Sequence, residues 1–186
     1  MAKDQRRREE WTGAATDYAL EHGLIGLSLR PLAAALGTSD RMLLYHFGSK
    51  DHLVADVLRE SNDRAIEALA VLPASAGPRR AVGDLWDAVR APQVLPCTRL
   101  YVEAAALGLL GREPYASVVR QANARWVAAL KDHLVRSGVD VRRAGRAVNL
   151  VDAAFLGFQL DAPLDVDERA RRRVVADLAR AVEALI

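Results

Sequence analysis

The chain has 186 residues, 51% hydrophobic and 27% charged, which suits one compact unit or two small packed ones and excludes a disordered or fibrous chain and a large multidomain enzyme. Its formal charge of +2, from 26 basic and 24 acidic residues, carries no bulk signal for nucleic-acid binding, so such a role has to rest on local placement. One cysteine, Cys97, excludes an intramolecular disulfide and a Cys-x-x-Cys metal or redox site; it is expected to be a small buried residue.

Helical periodicity runs through nearly the whole chain, so an all-α fold is expected. Trp11, Ala15, Tyr18 and His22 recur at i, i+4, i+7 and i+11 and predict a first helix from about Arg6 to His22, ended by Gly23. Leu29, Leu32, Ala33 and Leu36 form a second, with Ser28 placed to cap it, Pro31 in its first turn and Gly37 at its end. A third follows at once: Ser39 caps it, Leu43 and Phe47 supply a buried i, i+4 pair, and Gly48 closes it, after which Ser49 caps a fourth helix over Asp51–Leu72. Proline and glycine then punctuate helices over Arg79–Arg90, Cys97–Leu110, Tyr115–Arg136, Val141–Leu160 and Val166–Leu185, the last two joined by 161–165. Two parts emerge: a compact unit of three helices over residues 1–50 and a larger helical domain over 51–186.

Residues 28–50 carry the functional signal. A helix, a tight turn at Gly37-Thr38-Ser39 and a second short helix have the layout of a helix-turn-helix, whose first helix crosses the phosphate backbone while the second lies in the major groove. The N-terminal residues of that second helix are Asp40, Arg41 and Met42. The fork of Arg41 matches guanine O6 and N7, and Met42 suits a thymine methyl. Tyr45 and His46, one turn later, reach phosphates or bases, and Lys50 adds charge beside a helix N-terminus.

This stretch resembles the DNA-binding domain of the TetR/AcrR family of bacterial transcriptional regulators. The resemblance is carried by Ala33, Leu36-Gly37-Thr38-Ser39, Leu43, Tyr45-His46-Phe47, Ser49-Lys50-Asp51 and Leu53, within a match from about Trp11 to Leu58. It implies a dimeric regulator, usually a repressor, released from DNA when its C-terminal bundle binds a small effector. Carried over by position, Ser28, Arg30, Thr38 and Ser39 match operator-contacting positions, Arg41 and Met42 base-reading ones, and Tyr45, His46 and Lys50 phosphate or base contacts. Leu44 stands where an operator-contacting tyrosine is common, Gly48 replaces a frequent lysine or proline, and Thr38 a frequent valine.

In the second part, Trp86, Tyr101, Trp126 and Phe155, with the polar Glu103, Asn149, Asp152 and Gln159, are the expected lining of an effector site for a mid-sized, mainly hydrophobic molecule with a polar handle. The expected homodimer surface is the stripe Val148, Val151 and Phe155 on the penultimate helix with Val174, Val175, Leu178, Val182 and Leu185 on the last. Three histidines, His22, His46 and His52, lack metal-ligand spacing, no cofactor motif occurs, and no nucleophile pairs with a base at motif spacing, so no metal, cofactor or enzymatic activity is expected. No apolar run is long enough for a bilayer and Met1–Glu10 lacks an apolar export segment, so a cytoplasmic protein without a membrane partner is expected. The alternatives are a helical ligand-binding or interaction module without specific DNA readout, and a small helical enzyme using the C-terminal cavity.

Residues 1–52 hold seven basic side chains (Lys3, Arg6, Arg7, Arg8, Arg30, Arg41, Lys50) and seven acidic ones, a net charge of zero. Arg30, Arg41 and Lys50 share the presumed DNA face, and Lys3 with Arg6–Arg8 suggests an N-terminal arm. The expected salt dependence of DNA binding is therefore shallow. Binding measured across a salt series tests this: a slope as steep as that of a strongly basic binder would mean further phosphate contacts.

Overall fold

The computed structural model describes residues 2–161 and 167–186, with side chains from residue 4 onward. Among the described residues there are nine α-helices and no strand: α1 (Ala2–His22), α2 (Leu29–Ala35), α3 (Asp40–Phe47), α4 (Lys50–Ala70), α5 (Pro78–Val89), α6 (Leu95–Leu109), α7 (Tyr115–Arg136), α8 (Ala144–Leu160) and α9 (Glu168–Leu185). The all-α class is as expected, and the differences lie at helix ends. The first helix begins four residues before Arg6, where Gln5–Glu9 at 2.9 Å and Arg6–Glu10 at 3.4 Å form i, i+4 pairs along its opening turns. α8 starts at Ala144, not Val141, because Asp140 turns the chain first: its carboxylate accepts the Arg142 amide at 2.8 Å and its carbonyl those of Arg143 and Ala144. The expected helix start at Val166 and the connection 162–165 lie outside the described residues; α9 is capped by Asp167, whose carboxylate accepts the Arg169 amide at 3.0 Å.

The chain forms two compact units, one of residues 1–65 with 92–123, the other of 66–91 with 124–186. This partition differs from the expected boundary at residue 50. In the first unit Ala15 and Ala19 of α1, Leu32 and Ala33 of α2, Leu43 and Phe47 of α3, Val54 and Val57 of α4, and Leu100 and Ala104 of α6 share one core. Thus the buried stripe of α1 centres on Ala15 and Ala19, while His22 turns outward and stacks on Tyr18, ring centroids 4.1 Å apart. Ion pairs bind α1 to α4, Arg8 reaching Asp56 at 2.6 Å and Arg64 meeting Asp17 at 2.5 Å, and Glu60 on α4 itself holds Arg64 at 2.9 Å. Cys97 is buried as expected, and burial pushes its thiol up from the ordinary range.

The core of the second unit is built by Val82, Leu85, Trp86 and Val89 of α5, Leu130 and Leu134 of α7, Val148, Val151 and Phe155 of α8, and Val175, Leu178 and Val182 of α9. This corrects the expected dimer stripe. Val148, Val151, Phe155, Val175, Leu178 and Val182 are at most 8% exposed within a single chain, because α9 spends its apolar face on α5 and α8. Val174 is exposed and Leu185 is half-buried.

A polar group sits inside this apolar unit. His133 on α7 is fully buried, its Nε2 3.2 Å from the Ser75 hydroxyl, which donates its one proton to Asp84 at 2.7 Å. Nε2 therefore carries the imidazole proton, and Nδ1 is left buried without a partner. Burial, with Arg136 nearby, depresses the His133 pKa despite the opposing pull of Asp84 and Asp132. The unfolded chain then takes up this proton near the ordinary value of about 6.5 while the folded chain resists it. The stability contribution of neutral His133 is full above that value and is lost as the pH falls below it. Unfolding free energies measured from pH 8 to pH 5 should decline more steeply for the wild-type chain than for His133→Gln; parallel profiles would contradict this assignment.

Candidate nucleic-acid interface

The turn between α2 and α3 is made by hydrogen bonding that only a glycine accommodates easily. α2 ends with Gly37 at φ +64°, the Gly37 amide bonding the Ala34 carbonyl at 3.2 Å and the Thr38 amide the Ala33 carbonyl at 2.9 Å, a Schellman motif. Two residues later the Ser39 hydroxyl accepts the Met42 amide at 3.3 Å, and the Asp40 carboxylate accepts the Arg41 amide at 2.9 Å, so α3 starts capped. It ends at Gly48, φ +81°, and the Ser49 hydroxyl caps α4 through the His52 amide at 3.1 Å.

Between these stops α3 is sharply two-faced. Leu43 and Phe47 are 1% and 3% exposed in the core of the first unit, while Arg41, Met42, Leu44 and Tyr45 face outward, Tyr45 at 74% exposure. Ser28, Arg30 and Ser39 are exposed, and Thr38 is half-buried. Ser28 occupies the N-cap position of α2, yet its hydroxyl makes no capping bond. His46 is half-buried, its ring edge-on to Trp11 at 4.8 Å and to Tyr45 at 5.0 Å, and this packing sets the base of Tyr45. Leu44 belongs to the same exposed face as Arg41, from which it is three residues removed.

Lys50 and the three arginines of the expected arm are engaged within the protein. The Lys50 ammonium donates to the Leu27 carbonyl, clamping the loop before α2. In place of a free arm, Arg6–Arg8 form part of α1: Arg6 pairs with Glu10, Arg7 lies over the Trp11 ring at 5.6 Å, and Arg8 pairs with Asp56 and lies over Phe47 at 5.4 Å. Lys3 lies outside the described side chains.

The expected effector residues divide between the units. In the second, Trp86 packs on Phe155 at 5.2 Å and on Phe158 at 5.5 Å between ring centroids, with Arg90 over Trp86 and Arg171 over Phe158. Asp152 is half-buried, and its desolvation raises its pKa against the opposing hydrogen bond from Trp126. The Trp86 indole nitrogen and the Gln159 side-chain oxygen are buried without a hydrogen-bond partner, and Asn149 is exposed. Tyr101 and Glu103 belong to the first unit, where Tyr101 donates to Asn123 at 3.3 Å and the Glu103 carboxylate accepts the amides of Leu24 and Ile25. The contacts of Glu103 with the Leu24 and Ile25 amides and of Arg171 with the Phe158 ring are ones that helical spacing did not indicate.

Residues 13–57 match the family model of the bacterial regulatory proteins of the tetR family. Solved structures resemble nearly the whole chain. A transcriptional regulator from Rhodococcus sp. Rha1 is 22% identical over 94% of this chain and 95% of its own, with a TM-score of 0.75. The multidrug binding protein EbrR, complexed with imidazole, is 26% identical over 92% of this chain and 94% of its own, with a TM-score of 0.65. Salmonella enterica GusR is 24% identical over 96% and 94%, with a TM-score of 0.68. No curated protein matches the chain.

The two faces of α3 separate stability from any surface role. Truncating Phe47 to alanine should cost about 3–5 kcal/mol of unfolding free energy, whereas Arg41→Ala and Tyr45→Ala should stay within about 0.5 kcal/mol of wild type. Denaturant titration of the three variants gives the answer; a destabilising Tyr45→Ala would mean that this ring packs rather than projects.

Proposed function

We propose that this chain is a cytoplasmic, homodimeric transcriptional regulator of the TetR family that reads a palindromic operator, acting as a repressor released by a small, mainly hydrophobic effector. The observation that carries the reading is α3: a short helix capped at both ends, locked by Leu43 and Phe47, and presenting Arg41, Met42 and Tyr45 outward from its N-terminal turns. A helix held so firmly pays little ordering entropy on entering the major groove. In this reading Arg41 recognises a guanine, Met42 a thymine methyl, and Tyr45 and His46 contact backbone or base. Ser28, Arg30, Thr38 and Ser39 fix register through phosphates. Lys50 serves first as the clamp on Leu27, with its remaining two protons available to phosphate.

The domain division at residue 50 applies to roles: 1–50 reads DNA, and 51–186 binds the effector and dimerises. The dimer surface is revised toward the outward faces of α8 and α9, where Leu150, Leu160 and Val174 are exposed. A two-fold dimer places half-sites about one helical turn, ~34 Å, apart. Support for an effector comes from the second unit, where Trp86 packs on Phe155 and Phe158 and both the Trp86 donor and the Gln159 acceptor are buried without a partner. In keeping with this, the similar EbrR is described as a multidrug binding protein.

In vitro selection from random duplex DNA with the purified chain should enrich a palindrome. Arg41→Ala should then lose about 1–3 kcal/mol of discrimination at one base pair of each half-site while leaving the rest of the preference intact. Failure to enrich any sequence, with the chain folded, would favour a ligand-binding module without DNA readout.

A further inference from the structure

Between α1 and α2 the chain runs through the loop Gly23–Ser28, with Gly23 and Gly26 both at φ +83°. Successive amides after a left-handed residue form a concavity that accepts an anion. Here the anion is built in: the Leu24 and Ile25 amides both donate to one oxygen of Glu103, at 2.7 and 2.8 Å, from a position 79 residues along the chain from Leu24. Leu24 is 2% exposed, so its amide has little water to turn to if this partner is lost. The fit is close, since a Cβ added at Gly23 would stand 2.8 Å from the other carboxylate oxygen. Glycine is therefore required twice at this position, for its backbone angle and for the room Glu103 takes. The surrounding residues of α6, Leu100 and Ala104, lie in the apolar core of the first unit, which leaves this carboxylate as the polar member of its stretch. At its other end the same loop is held by Lys50 on the Leu27 carbonyl. An anion on α6 and a cation on α4 thus grip one six-residue loop, and α2 begins directly after it with Ser28 and Arg30 exposed.

We propose that Glu103 is a positioning residue for the DNA interface, setting through the Leu24 and Ile25 amides where α2 enters and hence where Ser28 and Arg30 meet the phosphate backbone. The role rests on the DNA-binding reading above and gives it a control point outside the helix-turn-helix. It also explains the acidic residue within the apolar run Leu100–Leu107 without an effector.

The test uses the full chain and the duplex it selects. Glu103→Ala should speed hydrogen exchange at the Leu24 and Ile25 amides and weaken duplex binding by at least about tenfold, with a shallower salt slope because Arg30 is displaced from its phosphate. Glu103→Gln keeps an oxygen where the carboxylate had one and should recover most of the affinity. A merely structural residue would lower the unfolding midpoint and leave the affinity of the folded chain alone. If Glu103→Ala fails to fold, Glu103→Asp, which withdraws the carboxylate by one methylene, serves for the same comparison. A folded Ala or Asp variant with wild-type affinity would overturn the role while leaving the DNA-binding reading standing, as would a Gln variant no better than Ala. A wild-type chain that selects no duplex would overturn both.

Discussion

The first unit depends on the burial of one side of an eight-residue helix. α3 is too short to hold itself in water. What holds it is the insertion of Leu43 and Phe47 among residues of α1, α2, α4 and α6, each such side chain contributing about 1.5–3 kcal/mol by removal from water. Capping at Ser39 and the glycine stop at Gly48 then define where the helix begins and ends. Because the helix is anchored along one stripe, residues a third to half a turn away face outward, and Arg41, Met42 and Tyr45 project as a consequence of the packing.

The same unit uses its charges mostly on itself. Arg8, Arg64 and Lys50 each satisfy an acceptor inside the unit, so a count of basic residues overstates what is offered to a polyanion. Arg30 and Arg41 are exposed on the helix-turn-helix. A binder built this way relies on the fit of a few contacts more than on attraction from a basic surface. The loop held by Glu103 and Lys50 belongs to this logic, since contacts so few have to be accurately placed.

The second unit follows another rule. Its helices bury most of their apolar stripes against each other, and inside lie polar groups without a partner: His133 Nδ1, the Trp86 indole nitrogen and the Gln159 side-chain oxygen. Such orphaned groups cost stability in a packed interior. Trp86 and Gln159 lie with the aromatic cluster of α5 and α8, the region for which a ligand role is proposed. His133 stands apart in a network with Ser75 and Asp84 and gives the unit a sensitivity to acid.

Local signals in the chain determined a good deal. The all-α class, the turn at Gly37, the caps at Ser39 and Ser49, the burial of Leu43 and Phe47 and the range of α7 all follow from neighbours within about four residues, the range over which capping and helical spacing act. Tertiary structure decided everything that needed a partner from elsewhere. Spacing marks Val148, Val151, Phe155, Val175, Leu178 and Val182 as an apolar face but cannot say whether the face meets another chain or its own, and α5 and α9 pair within the protomer. Spacing likewise marks Glu103 as an acid in an apolar run and Lys50 as a cation at a helix start. The acceptors and donors they found, at Leu24, Ile25 and Leu27, are backbone groups, which have the same chemistry at every residue and leave no mark in a sequence.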